Sequence, residues 1–105
     1  MPERYRAILS PTLLEQLQEL GLKDQARRAI REAMNDPELA GKQLTGSLYP
    51  YRRIRLGRYR IIYRIREDPP EVWFLYCAIR KQGSKRDVYR QLERILRRSQ
   101  GELER

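Results

Sequence analysis

The sequence predicts a small α+β domain with the element order β-α-α-β-β-β-α. Apolar and arginine residues alternate along residues 51–66, leucines recur at helical spacing near the N-terminus, and residues 71–79 form a nearly continuous apolar run. We expect a twisted antiparallel sheet with an N-terminal helical hairpin on one face and a C-terminal helix. At 105 residues, the chain is expected to form a single domain over residues 1–105.

The first strand and the first helix are predicted from residues 4–21. Residues Arg4–Leu9 alternate in polarity, which is typical of a strand with one buried face. Ser10 followed by Pro11 predicts an N-cap and the first helical position. Gly21 is placed to end this helix in a left-handed conformation. The apolar positions of the helix are Leu13, Leu14, Leu17 and Leu20.

A second helix is predicted to begin at Asp24, its expected N-cap, and to end before Asn35-Asp36-Pro37. The short break after the first helix predicts a helical hairpin. Residues 38–50 contain glycine, serine and proline without a clear period, so we expect a loop there. The apolar stripe of the second helix consists of Ala26, Ala29, Ile30, Ala33 and Met34.

Residues Tyr51–Leu56 and Tyr59–Arg66 are predicted to form two antiparallel strands joined tightly at Gly57-Arg58. Their stretch holds seven arginines and no acidic residue. Because side chains alternate along a strand, one face should be apolar and the other rich in arginine. We therefore expect a sheet with one buried face and one cationic face. The predicted apolar positions are Ile54, Leu56, Tyr59, Ile61, Tyr63 and Ile65, and the arginines opposite them are Arg53, Arg55, Arg60, Arg64 and Arg66.

Two further elements complete the predicted fold. After a turn at residues 67–70, the apolar run Glu71–Ile79 predicts a central strand that is buried on much of both faces. Ser84 and Asp87 have the spacing of a capping box ahead of a last helix. The apolar stripe of that helix is Val88, Leu92, Ile95 and Leu96.

Charge is the strongest compositional signal. The net charge of +9 and the sequence pI near 10.2 indicate a polyanionic partner such as nucleic acid. Most of the 23 basic residues are arginine, which favours bidentate contacts with phosphate. No apolar run approaches the length of a membrane span, and the N-terminus is charged where a signal peptide is apolar. A cytoplasmic location without a membrane partner is expected, with Cys77 buried and reduced.

The available side chains narrow the chemistry. The chain has no histidine and one cysteine, which argues against the common metal sites and nucleophile systems, so no metal or cofactor is expected. Arginine, lysine and tyrosine suit cleavage of RNA, in which a 2′-hydroxyl attacks its own 3′-phosphate and leaves a 2′,3′-cyclic phosphate. The general base would be a tyrosine or a lysine, because arginine stays protonated.

The run LTGSLYPYRRIRLGRYRIIYRI, followed by an apolar strand, a basic loop and DVYRQLERIL, resembles the RelE/ParE toxin superfamily. The resemblance covers nearly the whole chain. It implies a toxin of a type II toxin–antitoxin system that is neutralised by a partner antitoxin and represses its own operon together with it. RelE-like members cleave mRNA in the ribosomal A site, whereas ParE-like members poison DNA gyrase.

The resemblance also implies roles for individual residues. Arg60 matches the strand arginine that contacts the scissile phosphate, and Tyr89 matches a tyrosine near the C-terminus associated with base stacking or proton transfer. Packing in the core is the alternative role for Tyr89, which follows Val88 of the apolar stripe. Arg53 and Arg55 match a basic pair that is lysine in the archetype, where one member is a candidate base.

A further catalytic cation belongs to the loop before the last helix, where the candidates are Arg80, Lys81, Lys85 and Arg86. Arg86 or Lys81 would assist the leaving oxygen. The complete expected catalytic set is Arg55, Arg60, Lys81, Arg86 and Tyr89. The expected phosphate-binding set is Arg52, Arg53, Arg64, Arg80 and Lys85.

The resemblance leads us to expect a metal-independent endoribonuclease that cleaves mRNA at the ribosome and inhibits translation. Its partners would be an acidic cognate antitoxin, mRNA and the ribosome, with operator DNA contacted only through the antitoxin complex. Two alternatives stay open: a gyrase inhibitor without nuclease activity, and an inactive nucleic-acid-binding homologue.

Overall fold

A five-stranded mixed sheet in the order β1-β5-β4-β3-β2 forms the centre of the molecule. The computed structural model describes residues 4–79 and 85–104, with side chains described for 4–79 and 90–104. The strands are β1 (Arg6–Leu9), β2 (Lys42–Gln43), β3 (Arg52–Leu56), β4 (Tyr59–Glu67) and β5 (Pro70–Ile79). The α-helices in these described ranges are α1 (Pro11–Leu20), α2 (Lys23–Ala33), α3 (Pro37–Ala40) and α4 (Lys85–Leu103).

The α+β fold class is confirmed, with two differences in the sheet. Strand β2 is an additional short strand that pairs antiparallel with β3. Strands β3, β4 and β5 pair antiparallel in sequence order, as expected, but β1 pairs parallel with β5. The backbone N–H of Ser10 continues this pairing by donating to the carbonyl of Phe74. The alternation of a four-residue strand indicates which face it buries but carries no information on its direction, so the antiparallel prediction was wrong for this pair.

The α1–α2 hairpin covers one face of the sheet, which we call the hairpin face. Ile54, Leu56, Ile61 and Tyr63 pack there against leucines and alanines of both helices, as the alternating pattern predicted. The predicted start of α1 is also confirmed, because Ser10 Oγ accepts a hydrogen bond from the Leu13 N–H at 3.0 Å.

Three further predictions concern the ends of the hairpin helices: the ends of α1 and α2 are confirmed, and the N-cap of α2 is not. Gly21 has the expected left-handed conformation, with φ of 67°, and ends α1. Met34 follows the last residue of α2, close to the predicted end. Asp24 is not the N-cap of α2, because the helix begins at Lys23 and Leu22 occupies the cap position without a side-chain hydrogen bond.

The opposite face of the sheet, which we call the α4 face, is more apolar than expected. Trp73, Leu75 and Ile62 are buried there in a second core together with Leu96 of α4. Strand β5 is therefore buried on both faces, as its apolar run predicted, and α4 covers part of the face that β3 and β4 were expected to make cationic. The expected capping box at Ser84 and Asp87 lies outside the residues whose side chains are described.

Residues 38–50, predicted to be a loop, contain short ordered elements. Helix α3 and strand β2 fall in or overlap this segment, and Gly46–Leu48 forms a 3₁₀ turn. Strand β2 packs closely at its start, since a Cβ atom on Gly41 would overlap the carbonyl of Arg53. None of the helices within residues 4–79 and 85–104 combines the length and apolar content needed to cross a membrane.

Candidate functional site

Four basic residues share a patch of the α4 face on strands β2, β3 and β4. Arg55 is the direct cross-strand partner of Arg60, and Arg53 lies between Lys42 on β2 and Ile62 on β4. Directly opposed residues of antiparallel strands have Cβ atoms about 4.5–5.5 Å apart and point to the same face. We refer to Lys42, Arg53, Arg55 and Arg60 as the cationic cluster.

The hairpin between β3 and β4 fixes the register of this cluster. Gly57 adopts φ of 60° in the tight connection, a conformation that glycine accommodates without strain. The resulting register pairs Leu56 with Tyr59 and Arg55 with Arg60. Ile54 is buried on the hairpin face, so both neighbouring arginines of β3 must point to the α4 face.

The cluster brings four basic residues together. The directly opposed strand neighbours of its members are either another member of the cluster or the apolar residues Ile62 and Ala78. Arg55 is exposed, and Arg53 and Arg60 are partly exposed. Guanidinium groups arranged in this way are suited to binding a phosphate through several charge-assisted hydrogen bonds.

Arg52, expected among the phosphate-binding residues, lies on the other face of the sheet. Its guanidinium donates to the carbonyls of Glu38 and Gly41, at 2.6 and 2.7 Å, and to the Tyr63 hydroxyl at 3.3 Å. The Tyr63 hydroxyl in turn donates to the carbonyl of Pro37 at 2.8 Å. Arg52 is thus separated from the cluster and attaches α3 to the sheet.

Arg64, another expected phosphate ligand, lies on the α4 face but outside the cluster. Its guanidinium donates to Gln100 of α4 at 2.9 Å and lies 5.9 Å from the ring centre of Tyr51. Arg66 stacks on Trp73 at 4.2 Å, one step further along β4. These two arginines therefore pack at the edge of the second core.

The remaining expected residues follow strand β5. Arg80 and Lys81 lie outside the described residues, as do the side chains of Lys85, Arg86 and Tyr89, and their roles stay predictions. Strand β5 ends at Ile79, opposite Tyr59, so the chain leaves the sheet at the end that carries Arg55 and Arg60. Helix α4 begins six residues later, at Lys85.

Lys42 was not singled out from the sequence. It falls in a segment without periodicity, and only its pairing with Arg53 places it on the α4 face. A basic residue between two glycine-containing turns carries no signal that distinguishes it from ordinary surface lysine. Its placement supplies the lysine that residues 51–66 lack.

Other titrating groups lie away from the cluster. Burial and hydrogen bonds with Glu38 and Glu67 raise the pKa of Tyr5 to about 12. Burial also raises the pKa of the Cys77 thiol, which packs on the hairpin face. Within the described parts of the chain, no group of three histidine, cysteine, aspartate or glutamate side chains is arranged to hold a metal ion.

Comparison with known families identifies one relationship. A family model described as the ParE toxin of the type II toxin–antitoxin system parDE matches residues 7–83, which span β1 to β5 and include every residue of the cationic cluster. No curated protein matches the chain.

Proposed function

The chain belongs to the ParE toxin family of type II toxin–antitoxin systems, and we propose that this toxin is a metal-independent endoribonuclease that cleaves mRNA. The observation that carries the proposal is the cationic cluster. Arg55, which is exposed, and Arg60, which is partly exposed, are opposed beside Arg53 and Lys42 at the sheet end where the chain continues toward α4. Cations grouped in this way are suited to binding a phosphodiester of RNA.

In the proposed reaction, the 2′-hydroxyl loses its proton and its oxygen forms a bond to the adjacent phosphorus. The bond from phosphorus to the 5′-oxygen of the next nucleotide breaks, and that oxygen takes up a proton. The products are a 2′,3′-cyclic phosphate and a 5′-hydroxyl end. The ribosome would hold the mRNA in the geometry that aligns these three atoms, and alignment of this kind supplies about 7–11 kcal/mol in favourable systems.

The role proposed for Arg60 and Arg55 is to neutralise charge on the pentacoordinate phosphorus. A single preorganised donor of this type contributes roughly 3–4 kcal/mol to transition-state stabilisation. Arginine remains protonated and so is not assigned as the base. Lys42 is the described lysine of the cluster and is one candidate for the base, beside Tyr89. We propose that Lys81 or Arg86 assists the departure of the leaving oxygen and that Arg53 binds the neighbouring phosphate.

Induction of the toxin followed by primer extension on translated messages tests this proposal. We expect new 5′ ends in the wild type and their loss in Arg60→Ala, with Arg58→Ala as the matched control because Arg58 is exposed in the adjoining turn. Growth arrest without new 5′ ends, or full cleavage by Arg60→Ala, would contradict the nuclease assignment.

Inhibition of DNA gyrase is the second candidate function. The matching family model is that of ParE, and the resemblance of this chain to ParE-like toxins implies a gyrase target. The cationic cluster would then contact DNA or an acidic surface of the enzyme without cleaving a bond. Inhibition of supercoiling by purified toxin, together with intact mRNA, would favour this function over the first.

A further inference from the structure

An open pocket of about 460 Å³ lies between α2, α3 and the outer edge of β3. Arg55 of the cationic cluster belongs to its lining, so the pocket adjoins the proposed phosphate site. The sheet edge is open at this point, because β2 pairs with Arg52 and Arg53 and, within the described residues, does not extend alongside Arg55. We call this cavity the edge pocket.

The floor of the edge pocket is apolar and is built mainly from small side chains. Three alanines of α2 and α3 leave space beside β3, and Leu39 is 80% exposed at the pocket. Pockets that take small molecules are lined mostly by apolar side chains and have volumes of roughly 300–1,000 Å³. A nucleobase presents a π-face that suits such a lining. The apolar residues are Ala29, Ala33, Leu39, Ala40 and Ile54.

Polar side chains line the rest of the edge pocket. Glu32, Asn35 and Asp36 are exposed there, and Asp36 makes no capping hydrogen bond although it holds the N-cap position of α3. Carboxylates accept hydrogen bonds, whereas an asparagine amide both donates and accepts them. Guanine presents two N–H donors beside its O6 acceptor, which complements this set, while uracil presents one N–H between two carbonyl oxygens. The pocket therefore favours guanine over uracil.

RNA matches the edge pocket together with the cations beside it. In single-stranded RNA, a base can be splayed out and bound by its Watson–Crick edge while cations hold the backbone phosphates. A basic peptide would also meet the two carboxylates, but Arg55 and the rest of the cationic cluster would repel it. The combination of an acidic pocket and an adjoining cationic cluster thus favours a nucleotide over a peptide.

We propose that the edge pocket binds a guanine of the RNA strand whose neighbouring phosphate lies at the cationic cluster. Glu32 and Asp36 accept hydrogen bonds from the guanine N1–H and from its amino group. The Asn35 amide donates to O6, and Arg55 binds the phosphate. This inference rests on the proposed nuclease function and adds a base preference to it.

Mapping of cleavage sites on translated messages tests this preference. The wild type should cut at a fixed position relative to guanine, and the double variant Glu32→Gln with Asp36→Asn should lower the ratio of guanine to uracil at that position about tenfold. The control is Glu19→Gln with Asp24→Asn, which removes the same charge from exposed residues outside the pocket and should keep the wild-type ratio. Because the ratio is measured within each variant, a loss of folded protein does not alter it. An unchanged ratio in the test variant, or an equal fall in the control, would overturn the proposal.

Nucleotide binding tests the edge pocket without cleavage. In NMR titrations of the full chain, 3′-GMP should bind about tenfold more tightly than 3′-UMP and should shift the amide signals of Asn35 and Asp36. Arg55→Gln should weaken the binding of both nucleotides equally, whereas the double pocket variant should lose the preference for GMP. Equal affinities for the two nucleotides, or shifts of these amides by an oligolysine peptide and not by GMP, would overturn the proposal.

The nuclease proposal and the edge-pocket proposal fail in different ways. If the wild type produces no new 5′ ends, the nuclease proposal fails, and the nucleotide titrations still decide whether the pocket binds guanine. If the wild type cleaves RNA with no base preference that the pocket variants alter, the nuclease proposal stands and the edge-pocket proposal fails.

Discussion

Arg55 of β3 and Arg60 of β4 are direct cross-strand partners, so their two side chains leave the same face of the sheet. Like charges in directly opposed positions destabilise a sheet. A buried apolar pair on the other face of the same strands, Ile54 with Ile61, stabilises the pairing that brings the two arginines together. The fold thus places two like charges on adjacent strands, and a bound phosphate would offset their repulsion.

Arg55→Gln should therefore stabilise the free protein while impairing its activity. We expect the free energy of unfolding in urea to rise by about 0.2–1 kcal/mol, because the opposed charge is removed. Cleavage of RNA should fall by roughly 10²-fold, the effect of losing one preorganised donor at the phosphate. Arg58→Gln is the control. Its free energy of unfolding should change by no more than about 0.5 kcal/mol, and its cleavage of RNA should stay at the wild-type level. A loss of stability in Arg55→Gln would show that Arg55 has a structural role instead.

The faces of β3 and β4 were predictable because side chains alternate along a strand. Ile54, Leu56, Ile61 and Tyr63 are buried on one face, as the sequence pattern indicated. The coverage of the other face was not predictable in this way, because it depends on where α4 packs. Leu96 covers the α4 face near Ile62, which leaves only part of the arginine-rich surface open.

Lys42→Ala should weaken RNA binding mainly because it removes a contact with the phosphate backbone. Lys42 is exposed and opposes Arg53, so its loss removes a cation from the cluster without disturbing the core. The slope of log affinity against log salt for single-stranded RNA should decrease by about 0.7, the value for one phosphate contact. Lys23→Ala on the hairpin face is the matched control, and an equal change there would show that only net charge matters.

Arg52→Ala should act on stability and not on RNA binding. Loss of the guanidinium leaves the carbonyls of Glu38 and Gly41 without their donor and detaches α3 from the sheet. We expect the free energy of unfolding to fall by about 2 kcal/mol, since hydrogen bonds to charged groups contribute about 1.5–3 kcal/mol. RNA affinity of the folded protein should be unchanged, whereas Arg53→Ala should show the reverse pattern. A large loss of RNA affinity in Arg52→Ala would contradict this prediction and would show that Arg52 takes part in RNA binding.

The placement of Arg52 and Arg53 on opposite faces shows how much of the site could be predicted from the sequence. Adjacent arginines on a strand point to opposite faces, and that much was available from the alternation alone. The partners of Arg52 come from α3 and the start of β2, in a segment that showed no period and was predicted to be a loop. Lys42 lies in the same segment and was not predicted as a site residue, because the pairing of a two-residue strand is decided by tertiary contacts.

Tyr5 should make stability sensitive to alkaline pH. Its hydroxyl lies 2.9 Å from carboxylate oxygens of both Glu38 and Glu67, and it carries one proton that either carboxylate can accept. Burial, followed by these hydrogen bonds, raises the pKa of Tyr5 from 10.0 to about 12. The neutral hydroxyl is therefore favoured in the folded state.

The sign of the effect follows from proton binding. Between pH 10 and pH 12 the folded protein keeps the Tyr5 proton that the unfolded chain has lost, so this contribution to stability is complete below pH 10 and declines as pH rises toward 12. Urea unfolding from pH 8 to pH 11.5 should show wild-type stability falling toward that of Tyr5→Phe, which lacks the titrating group. Tyr49→Phe, at an exposed tyrosine, is the matched control and should follow the wild-type curve. A constant difference between wild type and Tyr5→Phe across this range would contradict the raised pKa.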